Sequence, residues 1–102
     1  MLQMRPSCEH CDKALPPNSR EAMVCSYECT FCADCVEHVL GQVCPNCGGN
    51  FVPRPIRPSH EWRPGVSLRH QPAREDKVFK PVDEQDQKEF AARVRKTAPE
   101  AR

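Results

Sequence analysis

The stretch "CSYECTFCADC", residues 25–35, places four cysteines close together. All eight cysteines of the 102-residue chain lie between Cys8 and Cys47. A segment of about fifty residues is usually too short to stabilise itself by apolar burial alone, and typically needs disulfides or metal ions. We therefore expect the cysteines to hold the fold of this part of the chain together.

The eight cysteines form four pairs, three with the spacing C-x-x-C and one with the spacing C-x-x-x-C. A spacing of this kind lets a tight turn direct both sulfur atoms at one ion, and Zn²⁺ takes four such ligands in a tetrahedron. Four pairs with no cysteine left over predict two closed, structural zinc sites without an open position for catalysis. The predicted ligands are Cys8, Cys11, Cys25, Cys29, Cys32, Cys35, Cys44 and Cys47.

Disulfides and an iron–sulfur cluster are the alternatives to zinc. The start of the chain, residues 1–11, has no apolar run typical of a signal peptide, and no stretch has the length of a membrane helix. We therefore expect a cytoplasmic protein, in which thiols stay reduced. Cys29, Cys32 and Cys35 match the first part of a bacterial ferredoxin run, but that run needs its fourth cysteine sooner than Cys44. Both alternatives are disfavoured.

Two pairings of the ligands are open, a sequential one and a cross-brace. Residues 22–25 and 30–32 are strand-like and flank the turn "SYE", which predicts a β-hairpin. The apolar residues that follow have the i, i+3, i+4, i+7 spacing of one helix face, despite Gly41. They are Val36, Val39, Leu40 and Val43. A hairpin, a short helix and a final C-P-x-C turn favour the cross-brace.

In the cross-brace, alternate cysteine pairs share an ion. The first site then consists of Cys8, Cys11, Cys32 and Cys35. The second site consists of Cys25, Cys29, Cys44 and Cys47. His10 and His38 lie beside ligand pairs, but eight cysteines already complete two sites, so we interpret both histidines as non-ligands.

The order C-x2-C, C-x3-C-x2-C-x2-C, C-P-N-C resembles a RING finger in an all-cysteine form. The finer text, "MRPSCEHCDKALPP" and "CSYECTFCADCVEHVLGQVCPNCGG", is similar to a family of mostly bacterial proteins known as domain of unknown function twelve-seventy-two. This resemblance covers about residues 1–57 and implies zinc and a cytoplasmic setting, with no known activity. The RING resemblance implies a small, zinc-stabilised α+β domain.

RING ubiquitin ligases dock a conjugating enzyme, and the resemblance allows the docking positions to be compared. Ligases usually have an aliphatic residue between the first two ligands, where Glu9 and His10 stand here. They often have a tryptophan before the last ligand pair, which residues 36–43 lack, and a basic residue after it, where Gly48 stands. The chain also has no unused cysteine beside a base and no glycine-rich phosphate loop. We expect a protein that is not an enzyme.

The composition predicts three parts. Residues 1–52 form the RING-like two-zinc domain, and residues 53–80 form an extended arm rich in proline and arginine. Residues 81–102 form a short amphipathic helix and tail, with Asp83 as the helix cap and Pro99 as the stop. The apolar face of this helix is small, so we expect it to be marginal alone.

Partner binding is open between protein and nucleic acid. The arm carries cations that suit phosphates, beside Trp62, which suits base stacking. These cations are Arg54, Arg57, Arg63, Arg69 and Arg74. The first half of the chain is net acidic, and zinc-bound thiolates would make it more so. We therefore favour a non-enzymatic protein-interaction adaptor or regulator, with a nucleic-acid-binding protein and a ligase component as the alternatives.

Overall fold

The computed structural model describes all 102 residues. It has a small α+β fold in which three short strands form one antiparallel sheet, with the first strand of the chain in the middle. The elements are β1 (Ala22–Val24), β2 (Thr30–Cys32), α1 (Ala33–His38), β3 (Val52–Pro53), α2 (Glu84–Val94) and a 3-10 turn (Pro99–Ala101). None of the helices has the length and apolar character needed to cross a membrane.

The hairpin expected before and after "SYE" is present. β1 and β2 pair antiparallel, with Ala22 opposite Cys32 and Val24 opposite Thr30. The turn closes where the N–H of Glu28 donates to the carbonyl of Cys25 at 3.0 Å. Since Cys25 directly follows β1 and Cys32 is the last residue of β2, the hairpin fixes the positions of these two sulfur atoms.

Helix α1 differs from the helix that the apolar spacing predicts. The prediction that one helix face runs through to Val43 is wrong, because α1 ends at His38. Gly41 and Gln42 follow with φ of 62° and 65°, so the backbone enters the left-handed region and reverses there. Leu40 and Val43 are nevertheless fully buried, so their apolar spacing reports core packing in a turn.

The core is built largely from cysteines. Six of the twelve buried residues in the main apolar cluster are cysteines. The largest aromatic contact in this cluster is an edge-to-face pair of Phe31 and Phe51, with ring centroids 5.5 Å apart. A core with so few large apolar side chains supplies little burial energy, and domains of this size usually need disulfides or metal ions in addition.

The residues after β3 begin with a buried arginine. Arg54 is 4% exposed, and its guanidinium donates to the carbonyls of Arg5 at 2.8 Å, Leu15 at 3.1 Å and Pro16 at 2.9 Å. These carbonyls belong to the first cysteine-rich segment. Arg54 therefore connects the proline-rich residues to the loop that follows Cys11.

Further contacts continue along residues 53–80. The N–H of Arg74 donates to the carbonyl of Gln3 at 3.1 Å, and the N–H of Lys80 donates to the carbonyl of Glu9 at 2.8 Å. This segment therefore lies along the cysteine-rich half while lacking strands or helices of its own between β3 and α2. The division at residues 52 and 80 stays a prediction.

Helix α2 packs against the turn after α1. The side chain of Asp83 accepts the N–H of Asp86 at 2.9 Å, so the cap expected at this position is present. Gln87 is 4% exposed, and its amide donates to the carbonyls of Leu40 and Val43, each at 3.0 Å. These bonds fasten α2 to the turn that follows α1.

Candidate metal centre

Four sulfur atoms converge at the junction of β2 and α1. The Sγ atoms of Cys8, Cys11, Cys32 and Cys35 all lie within 4.8 Å of one another. Cys8 and Cys11 lie on a turn closed by the N–H of Asp12, which donates to the carbonyl of Cys8 at 3.0 Å. Cys32 ends β2 and Cys35 lies in the first turn of α1. Local turns and the sheet thus bring two pairs together that are far apart in sequence.

The spacing of these sulfur atoms fits a tetrahedral zinc site. With Zn–S bonds of about 2.3 Å, the edge of the tetrahedron is about 3.8 Å. The Sγ atoms of Cys11 and Cys32 are 3.7 Å apart. Disulfide sulfurs bond at about 2.05 Å, and all eight cysteines are free thiols. The four sulfur atoms could therefore hold a metal ion, and their spacing is consistent with zinc.

The pKa shifts of the thiols in this first cluster differ in direction. Burial raises the pKa of Cys35 far above its usual value and also raises the pKa of Cys32. Burial also tends to raise the pKa of Cys8. Hydrogen bonds from the backbone N–H groups of Cys11, Cys32 and His10 outweigh this effect, so the pKa of Cys8 is lowered. Several thiolates together are unfavourable without a cation, and a bound divalent ion reverses that balance.

A second group of sulfurs lies at the other end of the hairpin. The Sγ atoms of Cys25, Cys44 and Cys47 lie within 4.8 Å of one another. Cys44 and Cys47 belong to a turn in which the N–H of Gly48 donates to the carbonyl of Cys44 at 2.8 Å. The N–H of Gly49 donates to the Sγ of Cys47 at 3.4 Å. Backbone donors therefore face the sulfur as they do in metal-binding turns.

Cys29 stands beside this second group but does not share its mutual 4.8 Å spacing. Cys29 is buried, and burial is the main cause that raises its pKa. A hydrogen bond with the side chain of Asn46 lowers the pKa of Cys29, whereas the neighbouring thiol of Cys25 raises it. The structure thus gathers three of the four sulfurs predicted for the second site and leaves Cys29 adjacent to them.

Glu9, which departs from the pattern of RING ligases, has buried contacts that were not predicted from the sequence. Its side chain is 1% exposed, and its carboxylate pairs with the guanidinium of Arg5 at 2.7 Å. The same carboxylate accepts the N–H of Thr30 at 2.6 Å and the amide of Asn46 at 3.4 Å. Glu9 therefore links the Cys8–Cys11 turn to the Cys44–Cys47 turn. No pattern in the sequence indicates this role, because residues 5–9 are not helical and the other partners of Glu9 are distant in the chain.

Neither histidine that flanks the cysteine pairs belongs to a sulfur group. The Nδ1 of His10 accepts the N–H of Val82 at 3.0 Å and so helps to seat the residues before α2. His38 is exposed, with its Nε2 at 3.9 Å from Glu37. The hydrogen bond between His10 and Val82 is thus a structural contact that was not predicted from the sequence.

The arginines proposed as phosphate contacts have different environments. Arg54 is buried, and Arg57 donates to the carbonyls of Leu2 and Gln71. Arg74 makes two bonds to Asp76, at 2.8 and 2.9 Å. Arg63 and Arg69 take part in none of the ion pairs of the chain.

Comparison with known proteins places the cysteine region in a family. The model of a family described as "Protein of unknown function (DUF1272)" matches residues 1–57, which include all eight cysteines. The chain belongs to this family. The resemblance expected from the cysteine text is therefore confirmed over the range given for it.

One relative of the chain is an uncharacterized protein of Rhizobium meliloti (strain 1021). The two are 52% identical over 81 residues, which cover 79% of this chain and 89% of the relative. The similarity therefore extends beyond the length of the family match. No solved structure matches the chain.

Proposed function

We propose that the protein is a non-enzymatic two-zinc module with a RING-like cross-brace, and that it acts as an adaptor or regulator through protein contacts. The convergence of the Cys8–Cys11 pair with the Cys32–Cys35 pair carries the proposal. Cys25, which lies between these two pairs in sequence, belongs to the other sulfur group. This alternation is the arrangement that defines a cross-brace.

Each zinc site would be closed by four sulfurs. Cys8, Cys11, Cys32 and Cys35 hold the first ion, and the three grouped sulfurs of the second site need Cys29 as the fourth ligand. The interaction of the Cys29 side chain with the thiol of Cys25, which contributes to the raised pKa of Cys29, supports this role. Ions held in this way stabilise a fold and do not activate water.

The adaptor role is favoured over nucleic-acid binding because three of the five arginines already have partners within the chain. Arg54 and Arg57 donate to backbone carbonyls, and Arg74 is paired with Asp76. Only Arg63 and Arg69 of the five keep guanidinium groups without such partners. Two free cations beside a thiolate-rich, acidic half give a weak phosphate-binding surface.

The adaptor role is also favoured over a ligase by the position of Glu9. A ligase would present an aliphatic side chain to the conjugating enzyme at this point of the first turn. Here Glu9 is buried and holds Arg5, Thr30 and Asn46 inside the domain. It therefore offers no docking contact, and the fold alone does not carry ligase activity.

Metal analysis of the purified protein tests the module. We expect two zinc ions per chain, and removal of zinc by a chelator should unfold residues 1–52 and make them sensitive to protease. The His38→Ala variant is the control, because His38 is exposed and outside both sulfur groups. Brown colour with visible absorbance in anaerobically purified protein would show that an iron–sulfur cluster is bound instead of zinc. A protein that stays compact after treatment with the chelator would refute the zinc-dependent fold.

A discharge assay with ubiquitin-charged conjugating enzymes tests the exclusion of enzyme activity. We expect the rate of discharge with the zinc-loaded protein to equal the rate with the chelated protein. Faster discharge that depends on zinc would make the ligase alternative the correct one.

A further inference from the structure

Residues 58–71 form a loop that is closed by hydrogen bonds; we call it the Trp62 loop. The N–H of Leu68 donates to the carbonyl of Pro58 at 2.8 Å, which joins the two sides of the loop. Arg57 donates to the carbonyl of Gln71 at 2.8 Å, which ties its two ends together. Compact surface loops with close ends frequently carry function.

The interior of the Trp62 loop is organised by its own side chains. The amide of Gln71 donates to the carbonyl of Gly65 at 2.9 Å and accepts the N–H of Ser67 at 3.2 Å. The hydroxyl of Ser67 lies 3.1 Å from the Nδ1 of His70, which also lies 3.0 Å from the carboxylate of Glu61. The loop therefore has a defined shape without an apolar core.

This ordered loop exposes a large aromatic side chain. Trp62 is the only tryptophan of the chain and is 77% exposed. Its ring is tilted against that of His60, with centroids 4.6 Å apart. A tryptophan held on a fixed loop in contact with water is typical of residues that dominate the binding energy of protein interfaces.

An apolar groove adjoins Trp62; we call it the Trp62 groove, and its volume is about 560 Å³. The apolar side chains that line it are Pro17, Ile56, Pro58, Trp62 and Leu68. The groove thus joins the loop after the first cysteine pair to the Trp62 loop. Its lining suits an aliphatic or aromatic side chain of a ligand.

Two arginines directly follow residues that line the Trp62 groove. Arg63 directly follows Trp62 and Arg69 directly follows Leu68; both are exposed, and neither belongs to an ion pair of the chain. The one acidic residue of the loop, Glu61, lies against His70. The loop therefore carries two guanidinium groups outside ion pairs against one carboxylate, a balance that favours carboxylate ligands.

We propose that the Trp62 groove binds a short acidic segment of a partner protein, with an apolar side chain in the groove and carboxylates on Arg63 and Arg69. This inference deepens the adaptor role and rests on it. A peptide is favoured over single-stranded nucleic acid because the groove is apolar and the other arginines of this segment are engaged elsewhere.

Selection from a randomised octapeptide phage library tests the proposal on the zinc-loaded, full-length protein. The library is first depleted on the Trp62→Ala variant, whose fold should persist because the side chain is exposed. We expect the sequences then captured by the unsubstituted protein to be rich in Asp and Glu around an aliphatic or aromatic residue. No enrichment, or enrichment of neutral or basic sequences, would overturn the proposal.

The fluorescence of Trp62 provides the second measurement, since no other tryptophan contributes. The selected peptide should shift the emission to the blue, and Arg63→Gln with Arg69→Gln should weaken its affinity by roughly tenfold or more at low salt. Lys96→Gln removes an exposed charge elsewhere and should leave the affinity unchanged. A blue shift produced by oligothymidine instead of the peptide, or by protein concentration alone, would assign the groove to nucleic acid or to a second copy and contradict the inference.

The zinc content measured on the same samples separates the two hypotheses. Loss of peptide binding with two zinc ions per chain would remove the groove proposal alone. Absence of zinc would instead remove the module on which the proposal rests.

Discussion

Glu9 and Thr30 are joined by two hydrogen bonds in opposite directions. The carboxylate of Glu9 accepts the N–H of Thr30 at 2.6 Å, and the N–H of Glu9 donates to the carbonyl of Thr30 at 3.0 Å. The first cysteine turn is thereby fixed to the strand that delivers Cys32. The arrangement of the first sulfur group thus depends on a buried carboxylate as well as on the cysteines.

Replacing Glu9 by alanine should destabilise the zinc-loaded protein. The change leaves the N–H of Thr30 buried without its acceptor and the guanidinium of Arg5 without its carboxylate, which together cost roughly 2–4 kcal/mol. The free energy of unfolding in denaturant measures the effect. Glu37→Ala, at a carboxylate that is 69% exposed, is the matched control and should change it by less than about 0.5 kcal/mol. Equal effects of the two variants would contradict the role assigned to Glu9.

The sequence predicts the hairpin, because its turn and its strands follow from short-range spacing. The convergence of the Cys8–Cys11 pair with the Cys32–Cys35 pair is a long-range contact, which the spacing of the cysteines alone leaves open. The sequence does not predict the contacts of Glu9 and Arg54, since a polar side chain that bonds to a distant backbone group leaves no periodic pattern. The helix predicted through Val43 fails for a related reason. Gly41 and Gln42 adopt left-handed backbone angles that a spacing of apolar residues does not reveal.

Replacing Arg54 by methionine should loosen the proline-rich residues from the cysteine-rich half. Methionine keeps much of the apolar stem but removes three hydrogen bonds, so the carbonyls of Arg5 and Leu15 lose their donors at a cost of roughly 2–3 kcal/mol. Limited proteolysis should then cut within residues 53–80 faster than in the unsubstituted protein. Arg63→Met, at an exposed and unpaired arginine, should leave the rate unchanged, and equal rates for both variants would show that Arg54 does not anchor this segment.

Replacing Gly41 by alanine should weaken the packing of α2. Gly41 has φ of 62°, and an added Cβ would lie 3.2 Å from the Cβ of Ala91. Gly65 has φ of 81° but no atom within 4 Å of an added Cβ, so Gly65→Ala carries the backbone strain without the crowding. The strain alone costs roughly 1–2 kcal/mol, and we expect the loss of unfolding free energy to be greater for Gly41→Ala.

Hydrogen exchange of the α2 amides distinguishes crowding from backbone strain. Gly41→Ala should speed exchange in residues 84–94, because the contact with Ala91 holds that helix in place. Gly65→Ala should not. Similar exchange in both variants would mean that α2 does not depend on its approach to Gly41.

Two double variants distinguish the cross-brace from sequential pairing by zinc content. Cys8→Ser with Cys32→Ser removes two ligands of one ion in the cross-brace, but one ligand of each ion in the sequential scheme. Cys8→Ser with Cys25→Ser does the reverse. We therefore expect the first double variant to retain about one zinc ion and the second to retain about none, since each ion needs its complete set of four sulfurs.

Elemental analysis of both double variants, with the single variant Cys32→Ser beside them, gives the measurement. A structural zinc ion contributes roughly 10–16 kcal/mol in small peptides, so Cys32→Ser should lose one ion and unfold the region around the first sulfur group. Circular dichroism follows that loss independently of the metal. The reverse order of zinc contents would establish sequential pairing, and unchanged zinc and circular dichroism in Cys32→Ser would show that Cys32 is not a ligand.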